Sequence, residues 1–142
     1  MSPTFYVAEP PPQYLVLPPI VVDCSALAGI VFQESWGDQA RARIVGRTLH
    51  APTLLQAEIA NVAVKKLRRG EAHAQAGLVV AAGMDITLHR IDVVAVADLA
   101  IRYNLSAFDA AYLWLAAELK APLATFDARL ATAAQAHLSS LP

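Results

Sequence analysis

Cysteine occurs once in the 142 residues, as Cys24, so the chain can close no disulfide within itself. A lone thiol suits a reducing compartment, and a cytoplasmic location is the expectation. Charge is scarce. Asp, Glu, Lys and Arg together make 16% of the chain, against about 25% in ordinary domains. A basic excess is missing too: 11 Lys and Arg stand against 12 Asp and Glu, for a net charge of -1. That argues against a protein that grips nucleic acid by bulk positive charge. Nucleic acid as a substrate stays open, because an acidic site can mask a basic rim in the total. No stretch of about 20 residues is apolar without charges, paired prolines or polar breaks, so no membrane-spanning helix is expected. No basic segment followed by an apolar run opens the sequence, so no signal peptide is expected. Zinc-type spacing is also absent: His50, His73, His89 and His137 form no HxxxH pattern and read as surface or packing residues.

What is abundant is apolar surface. Hydrophobic residues make up 56% of the chain, and the mean hydropathy is +0.43. Disorder is thereby excluded for most of the sequence. The length suits one domain. Residues 1–19 read as a separate arm. Pro3, Pro10, Pro11, Pro12, Pro18 and Pro19 exclude a helix there and favour an extended chain. Residues 20–142 read as the folded domain.

Within it, short β-branched runs alternate with helical patterns. Ile20-Val21-Val22 predicts a buried strand. Ser25 is a candidate cap for a helix over Ala26–Gln33. A short helix is expected over Gly37–Val45 and a strand near Thr48–Ala51. Pro52 opens a long helix that closes at Lys65, Lys66, Arg68, Arg69 and Gly70. Glu71–Ala82 predicts a helix, Met84–Leu88 a strand and Val93–Tyr103 a helix with Asn104 as a left-handed cap. Ser106–Leu119 is apolar around its circumference and so predicts a buried helix. Leu123-Ala124-Thr125 and Ala128–Ala136 complete the series as strand and helix. Strands alternating with helices imply an α/β fold with a short parallel sheet covered on both faces.

Four acids stand out. Asp23 and Asp127 end strands, at the sheet edge where α/β folds bind ligands. Each also suits the cap of the helix that follows. Glu58 shares a helix stripe with Leu54 and Val62, four residues away on either side, and Asn61 lies on the same face. An exposed Glu at the stripe's edge is the ordinary alternative. Asp109 has capping-box spacing after Ser106, yet it enters a helix that is apolar on all sides. Clustered carboxylates repel one another unless a cation neutralises them. Oxygen ligands without Cys or His select Mg²⁺ or Mn²⁺ over zinc.

The arrangement resembles the PIN-domain ribonucleases, and among them the VapC-type toxins of toxin–antitoxin pairs. The resemblance runs over about residues 20–138. It is carried by Val21-Val22-Asp23-Cys24-Ser25, by Ala51-Pro52-Thr53-Leu54-Leu55-Gln56-Ala57-Glu58-Ile59-Ala60-Asn61, by Leu105-Ser106-Ala107-Phe108-Asp109-Ala110-Ala111-Tyr112-Leu113 and by Pro122-Leu123-Ala124-Thr125-Phe126-Asp127-Ala128-Arg129. It implies a three-layer α/β/α fold and Mg²⁺- or Mn²⁺-dependent endonucleolytic cleavage of RNA. By position it implies that Asp23, Glu58 and Asp109 hold the principal metal and that Asp127 completes the site. Ser25, Asn61 and Thr125 match supporting positions. It further implies a cognate antitoxin and a homodimer. The alternatives are a catalytically silent scaffold with the same fold and, further off, a phosphoacceptor receiver. The receiver wants adjacent acids after the first strand, where this chain has Cys24.

Substrate grip is expected from cations near the acids. Arg129, two residues past Asp127, is the preferred candidate. Lys65, Lys66, Arg68 and Arg69 follow on the Glu58 helix, and Arg41, Arg43 and Arg47 lie on or just after the preceding short helix. These charges equally suit solvated helix ends. Trp36, Tyr112 and Trp114 are candidates for base stacking, although Tyr112 and Trp114 fit the core.

Overall fold

The computed structural model describes residues 17–142 together with residues 3, 4, 6 and 8. Most of the expected arm over residues 1–19 therefore lies outside the described residues. Pro19 belongs to the first strand, a position where proline is tolerated because it need donate no ladder bond.

Eleven elements follow in order: β1 (Pro19–Val22), α1 (Cys24–Val31), α2 (Gly37–Ile44), β2 (Thr48–Pro52), α3 (Leu54–Arg68), α4 (Ala74–Gly83), β3 (Ile86–His89), α5 (Val93–Tyr103), α6 (Ala107–Leu119), β4 (Leu123–Ala124) and α7 (Ala128–Ser139). The four strands form one parallel sheet in the order β3-β2-β1-β4. Residues on β1 pair with both neighbours: Val21 lies opposite His50 of β2 and Leu123 of β4. The sheet is flanked by helices in a three-layer α/β/α arrangement. The apolar helix α6 packs on β1, β2 and β4, with α5 and α7 beside it, while α1, α3 and α4 pack together. Val21, Leu27, Leu55, Tyr112, Leu113, Leu115 and Leu130 are almost fully enclosed in the core between the layers.

The helix ends follow local chemistry. Asn104 takes φ 52° at the end of α5, as expected, and Lys120 takes φ 49° at the end of α6. Gly70, at φ 81°, turns the chain after α3. Two expectations shift. Pro52 ends β2 rather than opening α3. The cap of α1 is Asp23 rather than Ser25, because the acid, two residues closer to the strand, reaches the amide of Ala26. Parallel strands point the same way, so the ends of β1, β2 and β4 open onto one edge. That edge receives Asp23, the start of α3 and Thr125-Phe126-Asp127.

Candidate active site

Asp23 is 5% exposed and fully engaged. Its Oδ1 accepts from the Ala26 amide at 2.9 Å and from the Ser25 hydroxyl at 2.7 Å. Its Oδ2 accepts from the Thr125 hydroxyl. The same two hydroxyls accept in turn: Ser25 Oγ from the Phe126 amide at 2.8 Å, and Thr125 Oγ1 from the Asp127 amide at 3.0 Å. The ends of β1 and β4 are thereby stitched together around one carboxylate. Asp127 caps α7, its Oδ1 accepting from the Leu130 amide at 2.8 Å.

Glu58 lies in the first half of α3, half-buried. Its Oε1 accepts from the phenol of Tyr112 at 2.6 Å. Asp109 sits in the first turn of α6, with its amide donating to Ser106 Oγ at 3.1 Å. Capping and the approach to the acid cluster coexist: Ser106 caps the Asp109 amide and also hydrogen-bonds its carboxyl, which still feels repulsion from Asp127 and Asp23.

The four acids feel one another's charge. Burial pushes the Asp23 carboxyl above its ordinary range, the hydrogen bonds from Thr125, Ala26 and Ser25 pull it back in part, and Asp127 adds repulsion. Burial also raises Glu58, against the Tyr112 bond, with Asp109 and Asp23 raising it further. Asp109 is raised by burial and then by Asp127 and Asp23. Burial, with Glu58 and Asp23 nearby, drives the Cys24 thiol up to about 12. Without a metal the thiol therefore stays protonated near neutral pH. The Tyr112 phenol is also pushed upward, by burial and by its bond to Glu58, and remains a donor.

Among the described residues, no group of three or more His, Cys, Asp or Glu side chains is drawn together closely enough to hold an ion as it stands. The donor set nevertheless suits a hard divalent cation. It is all oxygen, it comes from four elements at one sheet edge, and three of its carboxylates are raised by burial and mutual repulsion that such a cation offsets. An all-carboxylate donor set favours Mg²⁺ or Mn²⁺ over zinc.

Known proteins place this geometry. A family model described as PIN domain matches residues 20–136. The chain belongs to the PIN-domain family. It is 35% identical over 122 residues to the VapC ribonuclease Mb0985 of Mycobacterium bovis, covering 83% of this chain and 93% of that protein. Ribonuclease VapC9 of Mycobacterium tuberculosis matches to the same extent. The solved structure of PAE2754 from Pyrobaculum aerophilum superposes on this PIN domain with a TM-score of 0.58 at 19% identity. The match covers 86% of this chain and 95% of that one, a likeness of fold.

Ser25 and Thr125 of this PIN domain stand beside the acids, where the sequence put them. Asn61 is exposed one turn beyond Glu58, and no hydrogen bond among the described residues ties it to an acid. Arg129 is close enough to draw Asp109 downward, and its guanidinium donates to the Asn104 carbonyl at 2.7 Å. Lys65, Arg68 and Arg69 lie about 10–16 Å along the helix from Glu58, at 1.5 Å per residue. Arg69 is paired with Glu71 at 2.8 Å. Lys66 has a different place from its neighbours: it is buried, paired with Glu34 and Glu71, and sits over the Phe32 ring at 5.6 Å. It ties α3 to the segment after α1 and offers no charge to a substrate. Tyr112 is the site residue that sequence reasoning left in the core. The signal was its spacing: three residues after Asp109 on α6, it lies on the same face.

Proposed function

We propose that this PIN domain is a metal-dependent endoribonuclease, the toxin of a type II toxin–antitoxin pair, hydrolysing RNA phosphodiester bonds with Mg²⁺ or Mn²⁺ at Asp23, Glu58, Asp109 and Asp127. The observation that carries this reading is the gathering of carboxylates from distant parts of the chain at one sheet edge. Thr125 bridges Asp23 and the Asp127 amide. Burial raises Glu58, and Asp109 and Asp23 lie close enough to raise it further. The names of the mycobacterial relatives, both ribonucleases, support the reaction class.

A bound divalent cation supplies positive charge to the non-bridging phosphate oxygens and lowers the pKa of an attacking water. The chain's own residues prepare the site. Asp23 is the fixed ligand, locked by three donors with little freedom to rotate. Tyr112 holds Glu58 in its ionised form and sets its orientation. Asp109, whose carboxyl is also pulled downward by a hydrogen bond from Ser106, is the ligand contributed by α6. Asp127 completes the set at the start of α7. Ser25 and Thr125 act through Asp23 as positioning residues, and Arg129 is the nearest cation for the substrate phosphate. The same reading assigns a cognate antitoxin as partner, a homodimer as the working unit and the cytoplasm as location.

The test is cleavage of a mixed RNA pool by the purified chain, freed of antitoxin. It is run with Mg²⁺, with Mn²⁺, with chelator, and as Asp109→Asn. Cation-dependent cuts that vanish in the variant are the expected result. A folded chain that neither cleaves RNA nor gains thermal stability from either cation would overturn the proposal and leave a silent scaffold.

A further inference from the structure

Next to the acids lies an aromatic step that the four-carboxylate reading does not use. Phe126, 40% exposed, follows Thr125 directly, and its amide is bonded to the Ser25 hydroxyl that supports Asp23. Trp36, 37% exposed, stands against it with ring centroids 6.2 Å apart and planes tilted by 54°. Large aromatics half out of water are costly unless something covers them.

Trp36 is held in place. Its indole Nε1 donates to the Ser25 carbonyl at 3.4 Å. The indole lies flat on α1 because residue 29 is glycine: a Cβ there would come within 2.6 Å of the ring. Gly37 brings the start of α2 equally close, since a Cβ on it would meet the Gly29 carbonyl oxygen at 2.3 Å. Two glycines eight residues apart thus seat one tryptophan beside the acids. Phe108, 64% exposed on α6 next to Asp109, puts a third aromatic ring at the same edge.

The step leads somewhere. A groove of about 550 Å³ runs from Thr125 and Phe126 along β4 to α2, where Gln39, Arg43 and Arg47 line it. Arg41 is occupied by Asp38 and by the Ile30 carbonyl, and Arg47, just after α2, reaches the Pro19 carbonyl at 3.4 Å. Among the described residues, no acidic side chain lines the groove. Apolar rings beside the acids and two guanidiniums further along suit a single polynucleotide strand, with bases against the rings and phosphates toward the arginines. A duplex buries its base faces in its own stack and has none to offer.

We propose that the Trp36–Phe126 step is a base-stacking platform that holds single-stranded RNA beside the acidic cluster, with the strand continuing into the Arg43–Arg47 groove. This rests on the ribonuclease reading of the acids and adds the substrate's form: unpaired nucleotides next to the scissile phosphate.

The test compares binding of two labelled 12-nucleotide probes by fluorescence anisotropy, an oligoadenylate and an abasic ribose-phosphate oligomer of equal charge. Proteins are the full chain, Trp36→Leu, Phe126→Leu and Arg43→Gln, all in the Asp109→Asn background so that nothing is cut. Base stacking on an aromatic is worth about 1–3 kcal/mol, which is about fivefold to 150-fold in affinity. The full chain is expected to favour oligoadenylate by at least about fivefold on that basis. Trp36→Leu and Phe126→Leu lose that preference and keep the affinity for the abasic probe. Arg43→Gln weakens both probes alike. Equal binding of the two probes by the full chain, or a preference that survives both aromatic changes, overturns the platform. Circular dichroism confirms that each variant is folded. Cleavage of the RNA pool by the unsubstituted chain judges the nuclease separately, so the platform fails alone if cutting persists without base preference.

Discussion

The phenol of Tyr112 on α6 and Oε1 of Glu58 on α3, 54 residues apart in sequence, meet at 2.6 Å across the layers of the fold. The bond favours the ionised form of Glu58 and opposes the upward push of burial. Tyr112→Phe removes it without changing the ring. Glu58 then holds its proton to higher pH, and the acid limb of the RNA-cleavage profile moves upward. Activity is expected to fall severalfold near the limb and to recover at higher pH. An unmoved limb in a pH–rate series would show that Glu58 does not govern it. Loss of the hydrogen bond also costs about 1 kcal/mol in urea denaturation.

Stability without metal should fall as pH rises. Asp23, Glu58 and Asp109 are all raised above their ordinary values of 3.8, 4.5 and 3.8. The unfolded chain therefore gives up these protons first, and the folded chain binds more of them. Stability is lost from the ordinary carboxylate range up through the raised values, the reverse of the usual acid denaturation at a salt-bridged carboxylate. A divalent cation reverses the loss by favouring the ionised forms. Melting curves at a series of pH values, with chelator and with Mg²⁺, should diverge as pH rises.

Asp109→Asn removes one of the repelling charges while keeping the shape. The metal-free variant should melt no lower than the parent, and its dependence on pH should be shallower. Its gain from Mg²⁺ should shrink and its cleavage should fall by at least about a hundredfold, the scale of losing one placed catalytic group. Differential scanning fluorimetry and the cleavage assay read the two effects side by side. A variant that melts lower but still cuts would reverse the assignment.

Lys66 gives the opposite pattern. Lys66→Ala leaves Glu34 and Glu71 without their shared cation and uncovers the Phe32 ring. The cost is about 3 kcal/mol, at the lower end for breaking a buried pair because Glu34 keeps some contact with water. Lys66→Met, which keeps the stem over Phe32, should recover part of it. RNA cleavage per folded molecule is expected to stay unchanged in both. Urea titration followed by tryptophan fluorescence gives the first number.

The ordering of the fold was legible because its signals are local. β-branched residues marked β1 and β3, Asn104 ended α5, and the all-round apolar character of 106–119 placed α6 inside. The resemblance added the layers. The acids could be named because each broke a local pattern, such as Glu58 on an apolar stripe. What stayed hidden was long-range. Nothing near Glu58 in sequence announces Tyr112, and nothing near Lys66 announces Glu34, 32 residues earlier. A run of basic residues looks uniform in sequence, yet the helix turns Lys66 inward and leaves Lys65 and Arg68 outward. The seating of Trp36 was equally invisible, because it depends on side chains that Gly29 and Gly37 do not have.

The β1–β4 pairing carries a last consequence, for the order in which the site is completed. Val22 sits opposite Ala124, and Asp23 takes a hydrogen bond from Thr125, 102 residues later. During translation, Asp23, Glu58 and Asp109 leave the ribosome well before the strand that braces them. A nascent chain lacking β4 has neither Thr125 nor Asp127, and its first strand has one open flank. A chain that ends before residue 123 is therefore expected to show no RNA cleavage.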